Sequence, residues 1–257
     1  MRVTALTEKT TEKDFRTEHG LSLYIETNGQ KILFDSGQTE LFAENAGKLG
    51  IDLSAVDIMV LSHGHYDHGG GLERFMEINK KAPIYMSRYA FEPHYNGTEK
   101  YIGLDTSLEK SERIIFTDGV TEISDTLTLY SCNDREKLID LGSFGLNMLE
   151  NGEMIPDDFR HEQYLLINEN GKRVLISGCS HKGINNIESW FIPDVLIGGF
   201  HFSKLECGDK LLSLAEQLDS EPTHYYTCHC TGVEQYRFMS RYMKRLDYIS
   251  TGKTIVI

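Results

Sequence analysis

No run of this sequence approaches the roughly 18 uninterrupted apolar residues that a membrane-crossing helix needs. Residues 1–14 are rich in Thr, Glu and Lys and lack the apolar centre of a secretory leader. Cysteine is scarce: Cys132, Cys179, Cys207, Cys228 and Cys230 make five, an odd number without the spacing of a disulfide framework. These absences lead to an expectation of a cytoplasmic protein in a reducing compartment. Basic charge is short as well. Lys and Arg total 26 against 39 Asp and Glu, a net charge of −13 with histidine neutral. Such a chain repels phosphate backbones and anionic headgroups, so neither nucleic acid nor a membrane is an expected partner. A small phosphorylated molecule drawn in by metal ions stays compatible with that charge. Composition says nothing of oligomeric state.

What is present is a chain of 257 residues with 40% hydrophobic content, enough for one sizeable domain over residues 1–257. Residues 21–26 alternate, Asn28-Gly29 supplies a tight turn, and residues 31–35 complete a hairpin. Residues 55–61 form an almost wholly apolar run, as expected of a strand buried on both faces. Helices are expected over residues 39–49, 72–78, from 183 onward, and over 211–218. Residues 87–110 show little periodicity and read as either a substrate lid or a surface excursion. Residues 134–158, with Gly142, Gly145 and Asn151-Gly152, read as a long loop over a sheet edge. Both halves of the chain pass from β-rich to mixed character, which implies an α/β fold of two mixed sheets packed face to face with helices on the outer faces.

The richest stretch is Val60-Leu61-Ser62-His63-Gly64-His65-Tyr66-Asp67-His68-Gly69-Gly70-Gly71-Leu72. Side chains alternate along a strand end, so His63 and His65 point to the same side and can share a metal. Asp67 and His68 follow on a tight turn into a helix, displaced enough to serve a second metal. The glycines let the backbone turn and pack close to the ions. His161 precedes one strand of a hairpin and Cys179 follows the other, so they fall at the same end, with His181 a competing ligand two residues on. His229 ends the strand at residues 223–227; its Cys228 and Cys230 flanks lack the second pair that a zinc knuckle needs.

The His-x-His-x-Asp-His stretch after a buried strand resembles the first metal motif of the metallo-β-lactamase superfamily. Phe34-Asp35-Ser36-Gly37, Gly178-Cys179-Ser180-His181, Gly198-Gly199-Phe200-His201 and Cys228-His229-Cys230-Thr231-Gly232 resemble one branch of it. That branch resembles the dihydropterin ribofuranosylaminobenzene-phosphate synthases, and the resemblance spans residues 18–257 of this chain. It implies an αββα sandwich and two divalent metal ions, zinc first, iron or manganese as alternatives. His63, His65 and His161 would hold one ion. Asp67, His68 and His229 would hold the other, with Cys179 standing where the family has a bridging Asp. Asp35 would support the metal loop, although capping the next helix is the competing role.

Water activated between the ions would attack a phosphoester, lactone or amide, with Asp67 doubling as proton acceptor. His201 reads either as a substrate contact or proton donor, or as a histidine satisfied at a strand end. His19 reads as a surface residue or a site contact. Lys182 and Ser180, ahead of a helix, could hold an anion. Three functions follow: a metal-dependent hydrolase of a small, phosphorylated or pterin-like substrate, a synthase joining a dihydropterin to an aminobenzene ribotide phosphate, or a metal-bound sensor without turnover.

Overall fold

The computed structural model describes residues 1–257. Two seven-stranded sheets face each other. In the first, the spatial order is Thr254–Val256, Arg2–Thr7, Ser22–Thr27, Gln30–Phe34, Ile58–Val60, Ile84–Ser87 and Ile114–Thr117. The second runs Leu246–Tyr248, His224–Thr227, Val195–Gly198, Lys172–Ile176, Tyr164–Glu169, Leu127–Tyr130 and Val120–Ser124. In those orders the first sheet passes from antiparallel to parallel pairs at Gln30–Phe34, and the second from parallel to antiparallel at Lys172–Ile176.

Burial on both faces explains the continuous apolar runs. Ile32, Phe34, Ile58 and Val60 point into the space between the sheets, against Leu165, Ile167, Val174, Ile176 and Ile197. Their neighbours Leu33 and Met59 point outward, beneath helices Leu41–Lys48 and Leu72–Ile78, with Phe42 and Phe75. Leu166, Leu175 and Leu196 do the same in the second sheet, beneath helices Ile184–Phe191 and Asp209–Ser220. Three apolar layers result, and the arrangement is an αββα sandwich. No helix is long and apolar enough to cross a membrane.

The first hairpin turns at Asn28 (φ 48°) and Gly29 (φ 77°), both left-handed as its two-residue loop requires. Other expectations need correction. The strand expected over residues 55–61 is shorter, Ile58–Val60, because Asp52 caps a 3₁₀ turn at Leu53–Ala55 through the Ser54 N–H. An unanticipated strand, Arg2–Thr7, pairs with both Ser22–Thr27 and the last strand. The long loop expected over residues 134–158 contains a hairpin, Leu146–Glu150 with Glu153–Pro156. That hairpin joins His94–Asn96 and Lys100–Tyr101 in a third, four-stranded sheet, so residues 87–110, mostly turns, bends and irregular backbone, are tied down at those two short strands.

Glu188, on helix Ile184–Phe191, is 3% exposed and has no salt-bridge partner; it accepts a hydrogen bond from Thr223 Oγ1 at 3.0 Å. Burial raises its carboxyl to about 7, and the Thr223 hydrogen bond only partly offsets this. The folded state therefore holds the proton more tightly than the unfolded chain. That contribution is fully present below the unfolded value near 4.5 and is lost as pH rises through about 7. Glu188→Gln keeps the acceptor without the charge. Its Tm relative to the parent should climb between pH 5 and pH 8, by roughly 2–6 °C, in paired thermal melts; a pH-independent difference contradicts this.

Candidate metal centre

Strand direction gathers the polar residues. Lys172–Ile176, Val195–Gly198 and His224–Thr227 run parallel, so the segments leaving them, carrying Cys179, His201 and His229, emerge at one edge. Tyr164–Glu169 runs antiparallel to Lys172–Ile176, which puts the preceding His161 at that edge too. From the first sheet, Ile58–Val60 delivers His63 and His65, and the short helix Tyr66–Gly69 carries Asp67 and His68. Asp35 (φ 59°), Ser180 (φ 58°), His201 (φ 55°) and His229 (φ 50°) all sit in the left-handed region, unusual for residues with a Cβ. The chain bends sharply at each strand tip to turn these groups inward.

Asp35 holds the metal loop in shape. Its Oδ1 accepts the Ser62 backbone N–H at 2.7 Å. Its Oδ2 accepts the Ser62 hydroxyl at 2.8 Å and lies 2.7 Å from His68 Nδ1. The Ser62 proton is thus directed at Asp35, and His63 Nδ1, 2.8 Å from the same hydroxyl, is the donor to it. Both histidines keep their protons on Nδ1, leaving Nε2 to face the cleft. Helix Leu41–Lys48 is entered through Glu40, so Asp35 does not cap it.

Two groups of donors face each other. Asp67 Oδ2 lies 3.4 Å from His229 Nε2 and 3.8 Å from His68 Nε2. His68 Nε2 is 3.2 Å from both His229 Nε2 and Cys179 Sγ. On the other side are His63 and His65, with ring centroids 4.6 Å apart, and His161, 5.0 Å from His65. Mutual distances refine the expected sets. His65 and His161 share a cluster with His94 and Asp157, whereas His63 clusters with Cys179 and His181. Cys179 therefore stands between the two groups. His19, half exposed, reaches Asp67 at 3.2 Å. An open cleft of about 200 Å³ leads to this floor, walled by Asn96, Lys100, Ile102 and Leu146 of the third sheet and its flanks.

The sequence model of the metallo-beta-lactamase superfamily matches residues 16–220. The chain belongs to that superfamily. A relative from Methanocaldococcus jannaschii named 7,8-dihydropterin-6-methyl-4-(beta-D-ribofuranosyl)-aminobenzene-5'-phosphate synthase is 31% identical, covering 94% of this chain and 90% of that protein. An uncharacterized protein of the same organism is 29% identical over 98% of both chains. The crystal structure of Tm1679, a metal-dependent hydrolase of the beta-lactamase superfamily, is 28% identical; it superposes with a TM-score of 0.86, covering 100% of this chain and 99% of that one.

The residues of this superfamily member fit divalent cations. Nε2 of His63, His65 and His161 and both ring nitrogens of His181 are buried without a hydrogen-bond partner. Unpaired buried polar atoms are rare unless something else binds them. Burial pushes the His63, His65 and His181 rings well below their usual range, helped by their histidine neighbours, and takes His161 to about 4. Neutral imidazole is the form that ligates a metal. Burial disfavours a proton on His68, but Asp35 and Asp67 outweigh it and raise the ring to about 9. Burial likewise opposes charge on Asp67, yet His68, His19 and His229 hold its carboxyl well below the carboxylate range. A cation on this side would take the place of that trapped proton.

Other placements differ from expectation. Glycines 64, 70 and 71 are required by close backbone neighbours, the carbonyls of Ala90, Gln38 and Ser36, and not by room for ions. Lys182 is buried away from the cleft; its ammonium donates to Ser131 O, Asn133 Oδ1 and Glu162 O, and Ser180 Oγ pairs with Ser177 Oγ. Neither residue is available to an anion. His201 and His181 do line the cleft, 4.3 Å apart by ring centroids, with His181 stacked on Phe159. Four residues went unforeseen. Cys230 clusters with Cys179 and His201, and His94 with Asp157 joins His65. Glu8, following the unanticipated first strand, accepts the His229 N–H and the Tyr248 hydroxyl.

Asp35→Asn keeps the shape but presents a mixed donor–acceptor to the Ser62 and His68 donors. Zn²⁺ affinity, measured by chelator competition, should fall about 10–100-fold with an unchanged far-ultraviolet circular dichroism spectrum. Parental affinity in that variant would remove Asp35 from its orienting role.

Proposed function

We propose that the protein is a metal-dependent hydrolase whose two-cation centre acts on a small anionic substrate, phosphorylated or pterin-like in kind. The observation that carries this reading is the pair of facing donor groups on one cleft floor, with ring nitrogens buried and unpartnered. His63, His65 and His161 would hold one ion, His161 once it releases its Nε2 proton or its contact with the Gly64 N–H, and Asp67, His68, His229 and Cys179 the other. Zinc suits this set first, with iron and manganese as alternatives. Bound there, divalent cations lower the pKa of water from about 15.7 to about 7 and polarise the oxygen under attack.

The remaining work falls to side chains. Asp67 accepts the proton that the nucleophile loses. His19 lies 3.2 Å from it and is 51% exposed at its side chain, so it relays that proton to solvent. His201, half-buried on the cleft wall with Nδ1 unpartnered, donates to the leaving group. Lys9, Lys100 and Lys204 ring the mouth of a chain whose net charge is −13, which supports an anionic substrate. We place this activity in the cytoplasm, without a nucleic-acid or membrane partner, as the five free cysteines and the acidic balance support.

A second reading has its own support: the 31% identical relative carries the name of a synthase. In that case the same centre would join a dihydropterin to an aminobenzene ribofuranosyl phosphate.

Element-specific analysis of protein purified without chelator should find two equivalents of divalent metal. Screening should then find turnover of phosphoesters or lactones that His63→Ala and Asp67→Asn each reduce by about 100-fold or more in kcat/KM. Undiminished turnover in both variants, or metal-free active protein, would sink the hydrolase reading. Condensation product from a dihydropterin pyrophosphate, without hydrolysis of the screen, would select the synthase. Lys100→Ala should raise KM several-fold for phosphorylated substrates and leave kcat unchanged.

A further inference from the structure

We infer that His94 is a ligand of the cation on the His65 side of the centre, with Asp157 as the residue that positions it. This rests on the reading that the cleft holds cations. His94 comes from the third sheet, outside every motif in which ligands were expected. Its side chain is fully buried, and Nδ1 lies 2.7 Å from Asp157 Oδ2, whose side chain is equally buried. That contact places the single ring proton on Nδ1 and leaves a lone pair on Nε2. His94 Nε2 is buried and has no hydrogen-bond partner. His94 belongs to the cluster in which His65, His94, Asp157 and His161 each bring a ligand atom within 4.8 Å of the others.

A bracing hydrogen bond between sheet and loop is the simpler account of His94–Asp157. It explains one ring nitrogen and not the other, and a buried acceptor left unmatched is destabilising. His161 sharpens the contrast. Its Nδ1 accepts the Gly64 N–H at 2.9 Å, which places its proton on Nε2, 3.5 Å from Asp157 Oδ2. To take a cation, His161 must release that proton or break the Gly64 contact. His94 needs neither. A carboxylate on the far nitrogen of a histidine is also the arrangement that orients metal-bound imidazoles. The cation would then tie the third sheet to the His65 loop, so the cleft wall and the metal would be one mechanical unit.

Metal-stripped full-length protein is titrated with Zn²⁺ against a chelator and with Co²⁺ by visible absorption. The parent should take two equivalents. His94→Gln should weaken one of them about 100-fold, change the cobalt spectrum and leave the other equivalent alone; Asp157→Asn should weaken the same one about 10-fold. His94→Cys supplies a donor again, recovers part of the affinity and adds a thiolate-to-cobalt charge-transfer band. That gain of signal does not depend on His94→Gln folding. Parental affinities and spectra in His94→Gln, or no added band in a folded His94→Cys, overturn the assignment while the two-cation reading stands. A parent that binds no cation overturns both.

Discussion

One buried carboxylate sets the geometry on which the centre depends. Asp35 receives a backbone N–H, a hydroxyl and an imidazole N–H, all from the seven residues 62–68. Through Ser62 it also governs His63, which it does not touch. Two rings on opposite sides of the centre thereby share one tautomer-fixing anchor, and each presents Nε2 to the cleft. Asp35 itself is held at the tip of Gln30–Phe34 in a left-handed backbone conformation, where Asp is among the few side-chain-bearing residues tolerated. Its backbone N–H donates to Val60 O, so the carboxylate and the loop it organises descend from adjacent strands.

Holding so many unpaired imidazoles in a dry site is destabilising, and the rest of the fold must offset it. The three apolar layers do so with side chains that alternate inward and outward along the same strands, as Leu165, Leu166 and Ile167 show. Close backbone approaches add rigidity. Gly64, Gly70 and Gly71 let the loop lie directly on neighbouring carbonyls, where any Cβ would overlap them. Glu162 works likewise on the other half, accepting the His181 and Lys182 N–H groups and the Tyr164 hydroxyl.

Legibility followed chemistry and periodicity. The central strands announced themselves because burial on both faces makes them apolar without interruption, and the helix at Leu72–Ile78 because its spacing is helical. The loop at residues 63–68 could be read because several ligand-type residues at strand and turn spacing have few other uses. His94 was overlooked for the converse reason: a lone histidine in His94–Asn96, a strand of three residues, has no partner nearby in sequence, and Asp157 is 63 positions away. The third sheet is hard to read because three of its strands are of two to four residues with little apolar pattern, and only Leu146–Glu150 alternates, through Leu146 and Met148. Cys230 fails the zinc-knuckle template, which demands a second pair nearby; the thiol it approaches, Cys179, arrives from another strand. Lys182 misled because a lysine ahead of a helix is read from sequence as reaching outward, while its neighbours Ser131, Asn133 and Glu162 bind it inside.

Sulfur at the junction of the two donor groups has a consequence for which ions the site would ignore. Magnesium and calcium, the abundant hard cations of living cells, bind through oxygen and dehydrate for little else. Beside Cys179 and the histidines, the His68 side offers them one carboxylate, that of Asp67. Selectivity of this kind comes from a mismatch of polarisability and needs no size filter, so the cleft can stand open to solvent without being filled by the commonest divalent ions around it.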